Sequence, residues 1–186
     1  VLERGHHRFS YSDYLAREQE TGLRHEFLHG QVVAMNVGTP EHARLIAEVT
    51  LTLRRDTDTS RCRIFSSDLR VRIPATGLST YPDVAMVCGD VEYDADDPNA
   101  VTNPSLLVEV LSPSTEAYDR GDKWAHCRRI RSLQAYVLVA PVSGRLEAFV
   151  RDGDSFVHRS AESGETLTLE SLGLALEPDA LFSGAL

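Results

Sequence analysis

Apolar residues recur along this chain with two periods, near 3.6 and near 2, and their alternation lays out its elements. Ser10-Tyr11-Ser12-Asp13 reads as a helix start: Ser10 can cap, and Asp13 three residues on can close a capping box. Tyr11, Tyr14, Leu15 and Glu18 follow at helical spacing. Residues 25–35 predict a hairpin that turns near His29-Gly30. Thr39-Pro40-Glu41 opens a second helix, with a capping Thr, a Pro at the first helical position and an acid facing the macrodipole. Ala43, Ile46, Val49 and Leu53 are its expected buried stripe.

A strand-rich middle follows. Residues 61–66 and 69–73 alternate polar and apolar positions, as half-buried strands do, whereas 81–87 and 106–111 are more continuously apolar, as central strands are. Between the latter two, residues 88–105 are rich in Asp, Pro and Asn and predict a long surface loop. Residues 119–133 suit a helix with Trp124, Cys127 and Ile130 on one side, and 135–140 form another apolar strand. Turns at 141–144 and at Asp152-Gly153 connect strands at 145–151 and 155–158. The spaced leucines of 167–182 predict a tail that packs back on the core. The sum is an α/β fold, a mixed central β-sheet flanked by helices, forming a single domain over residues 1–186 with 1–9 as a loose N-terminal tail.

Composition adds limits. The chain has 186 residues, 42% hydrophobic and 25% charged, which is ordinary for a soluble globular domain. No apolar run approaches the ~20 residues that span a bilayer, and no signal peptide is recognisable at residues 1–10. Cys62, Cys88 and Cys127 are dispersed without a CxxC pair, which predicts reduced, mostly buried thiols of a cytoplasmic protein rather than a disulfide framework or a zinc site. The net charge of −9 argues against strong non-specific nucleic-acid binding, since Lys and Arg supply most of that affinity. It leaves room for a local basic cleft, for which Arg70, Arg72, Arg128 and Arg129 are the candidates.

One charge stands out against this pattern. In Leu106-Leu107-Val108-Glu109-Val110-Leu111, strand alternation puts Leu107, Glu109 and Leu111 on one face. A carboxylate there needs a cation, a proton or an exit to water, because an isolated charge in an apolar setting costs many kcal/mol. A strand-end Glu facing solvent, or one paired with a structural Arg, satisfies that need as well as a metal does. Tyr81-Pro82-Asp83-Val84 sets a second acid at the start of another apolar strand, where it can converge with Glu109 on a hard divalent ion or serve only as a turn residue.

Pro82-Asp83, a loop, then Glu109-Val110-Leu111 resembles the metal-binding core of the PD-(D/E)xK nuclease superfamily. More widely, the chain resembles the small bacterial restriction-endonuclease-like proteins of that superfamily. The matching stretches are His25-Glu26-Phe27-Leu28-His29-Gly30-Gln31-Val32, Ser67-Asp68-Leu69-Arg70-Val71, Tyr81-Pro82-Asp83-Val84 and Val108-Glu109-Val110-Leu111-Ser112-Pro113-Ser114-Thr115. Asp119, Lys123 and Ala135-Tyr136-Val137-Leu138-Val139 continue the match.

The resemblance implies a restriction-endonuclease-like fold and metal-dependent endonucleolytic hydrolysis of DNA. It maps Asp83, Glu109 and the Val110 carbonyl to the metal, Mg2+ or Mn2+, and Glu26 to the additional acid. The superfamily Lys normally lies two residues after the Glu, where this chain has Leu111; the smaller family displaces it to the following helix, which points to Lys123. The alternative for Lys123 is a solvent-facing helix residue. The pattern is departed from at His25, His29, Gln31 and Cys127, where the family favours Tyr, acids, acids and Tyr. A homodimer suits cleavage of both strands of a duplex. The competing accounts are a nuclease-fold module that binds without cutting, and an interaction protein in which Asp83 and Glu109 form buried salt bridges.

Other features are read more plainly. His42 can reach the site but reads as a surface histidine near a cap; Asp68 is either a supporting acid or a turn residue; the acidic loop 90–97 reads as solvated; Trp124 reads as core.

Overall fold

The first helix starts where its cap is written. In the computed structural model, which describes residues 8–35 and 38–184, Ser10 accepts from the Asp13 N–H while Asp13 accepts from the Ser10 N–H, and α1 (Tyr11–Thr21) runs on to Gly22 at φ 66°. Residues 1–7 of the expected loose tail lie outside the described residues, and Phe9 is tied down, its N–H donating to the Gly30 carbonyl at 2.9 Å. Strands β1 (His25–Leu28) and β2 (Gln31–Ala34) form the expected hairpin. His29 and Gly30 both take positive φ, 50° and 84°, as a two-residue turn of this hand requires.

Helix α2 (Pro40–Asp56) is capped by Thr39, whose hydroxyl accepts from the His42 N–H. Its buried stripe is Leu45, Val49 and Leu53. Val49 and Leu53 stand as expected and Ile46 is partly buried against the core, but Ala43 is exposed and Leu45 takes its place. The chain continues through β3 (Cys62–Ser66), β4 (Arg70–Ile73), β5 (Leu78–Thr80), β6 (Val84–Cys88), β7 (Ala100–Val101) and β8 (Leu106–Val110). It then passes through α3 (Glu116–Tyr118), a π-helical turn (Asp119–Lys123) and α4 (Trp124–Cys127) before β9 (Ala135–Ala140), β10 (Arg145–Asp152) and β11 (Ser155–Ala161). The tail adds β12 (Leu167–Leu169), β13 (Leu174–Leu176) and α5 (Pro178–Phe182).

Among the described residues, a six-stranded mixed sheet has the order β11-β10-β9-β8-β6-β3, parallel only between β8 and β9. A second, five-stranded sheet, β2-β1-β5-β4-β7, carries the hairpin. One face of the large sheet, with Val84, Val108 and Val137, packs on Leu45, Val49 and Leu53 of α2 and on the tail leucines 167, 169, 174, 176 and 181. The opposite face, with Leu107, Leu111 and Leu138, packs on Trp124, Cys127, Ile130 and the second sheet's Val71, Ile73 and Leu78. The chain therefore has the α/β architecture with a mixed sheet flanked by helices, and β8, buried along its whole length, runs through its centre.

Three expectations are corrected. The helix expected over 119–133 begins earlier and ends at Cys127, because the Arg151 guanidinium takes the Leu133 and Ile130 carbonyls at 2.6 and 2.9 Å and holds that stretch as turns. Cys62 and Cys88 are not reduced thiols: they face each other across the β3–β6 ladder and form a disulfide, leaving Cys127 free and buried. Asp97 is not solvated with the rest of its loop; it is buried and pairs with Arg70, whose other arm holds Glu18 at 2.5 Å. No helix among the described residues is long and apolar enough to cross a membrane.

Candidate active site

Strand alternation places Glu109 as the sequence predicts, on the face shared with Leu107 and Leu111. The antiparallel ladder between β6 and β8 pairs Val84 with Val108, and one further step brings Asp83 level with Glu109. The Asp83 Oδ2 accepts the Val110 N–H at 2.7 Å, so the acid is pinned to the end of the strand that carries its partner. From the second sheet, Glu26 on β1 enters beside them and accepts a hydrogen bond from the Thr80 hydroxyl.

Lys123 is not solvent-facing; it is 3% exposed. Its Nζ lies 2.8 Å from Glu109 Oε1, 3.4 Å from Glu26 Oε1 and 3.7 Å from Asp119 Oδ1. The turn that delivers it is π-helical, an irregularity found often at functional sites. Three contacts hold that turn: the Tyr136 hydroxyl donates to the Asp119 carbonyl at 3.0 Å, and Arg120 binds Glu147 on β10 at 2.9 Å and Glu116 at 2.8 Å.

Burial is the largest single influence on Glu109, Asp119 and Lys123. It pushes the Glu109 carboxyl well above the usual range, with Asp83 and Asp119 adding to the effect and Lys123 opposing it. Asp119 is raised for the same first reason, again against Lys123. Burial disfavours the Lys123 charge, yet Glu109, Glu26 and Asp119 together outweigh it and hold the ammonium protonated far above its ordinary value. His42 is raised chiefly by its hydrogen bond to Asp83, at 3.3 Å between Nε2 and Oδ2.

These groups open into a cleft of about 860 Å³ whose walls include Leu28, Val33, Met35, Leu78 and Val142. Among the described residues, its lining contains Glu26, Glu41, Asp83, Glu109, Asp119 and Asp122, and Lys123 without any arginine. None of Arg70, Arg72, Arg128 and Arg129, the candidates for a local basic cleft, lines it. Arg70 is locked between Glu18 and Asp97, and Arg72 lies over the Tyr11 ring at 4.0 Å.

The donor set fits a hard divalent ion. Glu109 Oε1 is buried and has no hydrogen-bond partner beyond its 2.8 Å ion-pair contact with Lys123, and Asp83 and the Val110 carbonyl add oxygen ligands only. Among the described residues no group of three or more His, Cys, Asp or Glu side chains could hold a metal; Asp83 and Glu109 together are two carboxylates. That number leaves room for waters and phosphate oxygens, as magnesium prefers.

His42, read from sequence as able to reach the site but more plainly a surface histidine, lines the cleft, as do Asp119, which was named only in the family match, and Tyr118, which was not named at all. Asp119 was findable, since it lies one helical turn before Lys123. Tyr118 hydrogen-bonds Glu26, which no local pattern announces. Asp68 lies away from the site, exposed and paired with Arg24 at 3.0 Å, and Trp124 is core, stacked on Phe149 at 4.3 Å.

A family model described as "Uma2: Putative restriction endonuclease" matches residues 11–179. The chain belongs to the Uma2 family. Two uncharacterised proteins of Synechocystis sp. are similar to it. One is 34% identical over 179 residues, covering 95% of this chain and 93% of the relative; the other is 32% identical over 143 residues, covering 77% and 81%. A crystal structure described as "a putative nuclease belonging to DUF820 from Anabaena variabilis" aligns with a TM-score of 0.73 at 19% identity, covering 89% of this chain and 93% of that one. The Uma2 chain thus has the restriction-endonuclease-like fold.

Proposed function

We propose that this Uma2-family chain is a metal-dependent endonuclease that hydrolyses DNA phosphodiester bonds, with Asp83, Glu109 and the Val110 carbonyl holding Mg2+ or Mn2+ and Glu26 and Lys123 completing the site. The observation that carries this reading is the convergence of Asp83 and Glu109 at one level of neighbouring strands, with a buried lysine against Glu109. Family membership supports the hydrolytic class.

A divalent ion bound there would polarise a phosphoryl oxygen and acidify the attacking water. The chain's own residues do the rest. Lys123, kept charged by three carboxylates, faces the cleft where negative charge develops on the phosphoryl oxygens. Glu26 holds the same ammonium at 3.4 Å and is itself fixed by Thr80. The apolar walls limit water around the reacting groups. A cytoplasmic homodimer that cuts both strands of a duplex completes the proposal.

The cleft's acidic lining favours one rival, a nuclease-fold module that no longer cuts. Nicking of supercoiled plasmid across a Mg2+ and Mn2+ titration separates the two. The enzyme account expects metal-dependent nicking that falls at least about a hundredfold in Asp83→Ala. Absence of nicking by the intact protein at every metal concentration overturns it.

A further inference from the structure

Asp83 Oδ2 is held by two donors from different elements. One is the Val110 N–H at 2.7 Å, on the strand that carries Glu109; the other is the His42 ring at 3.3 Å, in the first turn of α2. Both donors meet the same oxygen, Oδ2. Two donors on one oxygen fix the carboxylate's rotation.

The ring is in turn fixed from behind. Thr39 caps α2 by accepting from the His42 N–H at 3.2 Å, which sets the start of the helix and so the height of His42 against the sheet. Gly38 packs on the ring's far side: a Cβ built there would lie 2.6 Å from Nδ1, closer than real Cβ atoms come, and 3.2 Å from Cγ, so the ring would have to shift. Gly38-Thr39-Pro40-Glu41-His42 is thus a device that presents one imidazole nitrogen to Asp83.

We propose that His42 is a positioning residue that holds Asp83 in its metal-binding rotamer, with Gly38 as the space that admits its ring. This rests on the metal-site reading of Asp83 and Glu109. Removing hydrogen-bond partners of metal ligands typically weakens metal affinity 10–100-fold without removing a ligand.

The test is calorimetric titration of Mn2+ into the full chain and its variants, with the Val110 amide followed by 15N–1H NMR in metal-free samples. His42→Ala is expected to weaken Mn2+ binding about 10–100-fold and to shift the Val110 resonance. His42→Gln, whose amide nitrogen can replace Nε2, is expected to restore both. Gly38→Ala retains the imidazole but pushes it out of position, and is expected to weaken binding in the same direction, so the test survives if His42→Ala does not fold. Wild-type Mn2+ affinity and an unshifted Val110 amide in both His42→Ala and Gly38→Ala overturn the proposal. If the wild-type chain itself binds no Mn2+, the metal reading fails. The Val110 amide then still decides whether His42 holds Asp83: a shift supports that positioning and its absence overturns it.

Discussion

The Lys123 ammonium lies 2.8 Å from Glu109 Oε1, and both side chains are almost wholly removed from water. Glu26 and Asp119 stand at 3.4 and 3.7 Å from the same nitrogen, so the cation is shared among three acids. Taking away the single cation leaves three carboxylates crowded in an apolar setting. Lys123→Met is therefore expected to lose about 3 kcal/mol of stability, on the order of 10 °C in Tm, and to recover part of it in Mg2+. Cleavage should fall by two orders of magnitude or more, as for loss of a transition-state charge partner. A thermal melt within about 2 °C of the parent would show that the lysine is not needed to neutralise this cluster.

Glu147 reaches the same helix from the sheet side. It binds Arg120 at 2.9 Å and His158 at 3.0 Å, tethering the π-helical turn that carries Lys123. Burial tends to raise its carboxyl, but the hydrogen bonds from Arg120 and His158 outweigh that and hold it below the usual range. A carboxyl depressed by folding contributes its stability above the ordinary carboxylate range and loses it as pH falls through the depressed value. Glu147→Gln should accordingly melt a few degrees lower near pH 7, with the gap closing below about pH 4. A gap that persists unchanged into acid would exclude the ion pair as its source.

How much of this was readable in the chain depends on whether the cause is local. Ser10, Thr39 and His29-Gly30 fix caps and a turn through neighbours a few residues away, and all three stand where their spacing puts them. Glu109 stood out because a single charge broke an apolar strand, and alternation gave its face. What was missed depends on sheet register. Cys62 meets Cys88, Arg70 meets Asp97, and His42 meets Asp83 because strands and helices distant in sequence are packed side by side. The short strand Leu78–Thr80 also escaped notice, being too brief to show a period.

The electrostatics of the cleft make a prediction about DNA. Its six acids and one lysine leave little positive charge to neutralise phosphates. In EDTA, duplex affinity measured by fluorescence anisotropy should be weaker than about 1 μM at physiological salt, with a log–log salt slope shallower than about −3. Ca2+, binding without supporting cleavage, should tighten it by about tenfold or more. Tight binding in EDTA with a steep salt slope would place the DNA-binding surface somewhere other than this cleft.

The central claim is that Glu109 is held for a divalent cation rather than as one half of a structural salt bridge. If so, Glu109→Gln should fold with a Tm close to the parent's, because Lys123 keeps Glu26 and Asp119 as partners and one carboxylate repulsion with Asp83 is relieved. The most direct measurement is the melt of wild type and Glu109→Gln with and without Mg2+. The account predicts a saturable Mg2+-induced rise in the wild-type Tm that the variant lacks. A wild type indifferent to Mg2+, together with a variant that melts far lower in either condition, would contradict it.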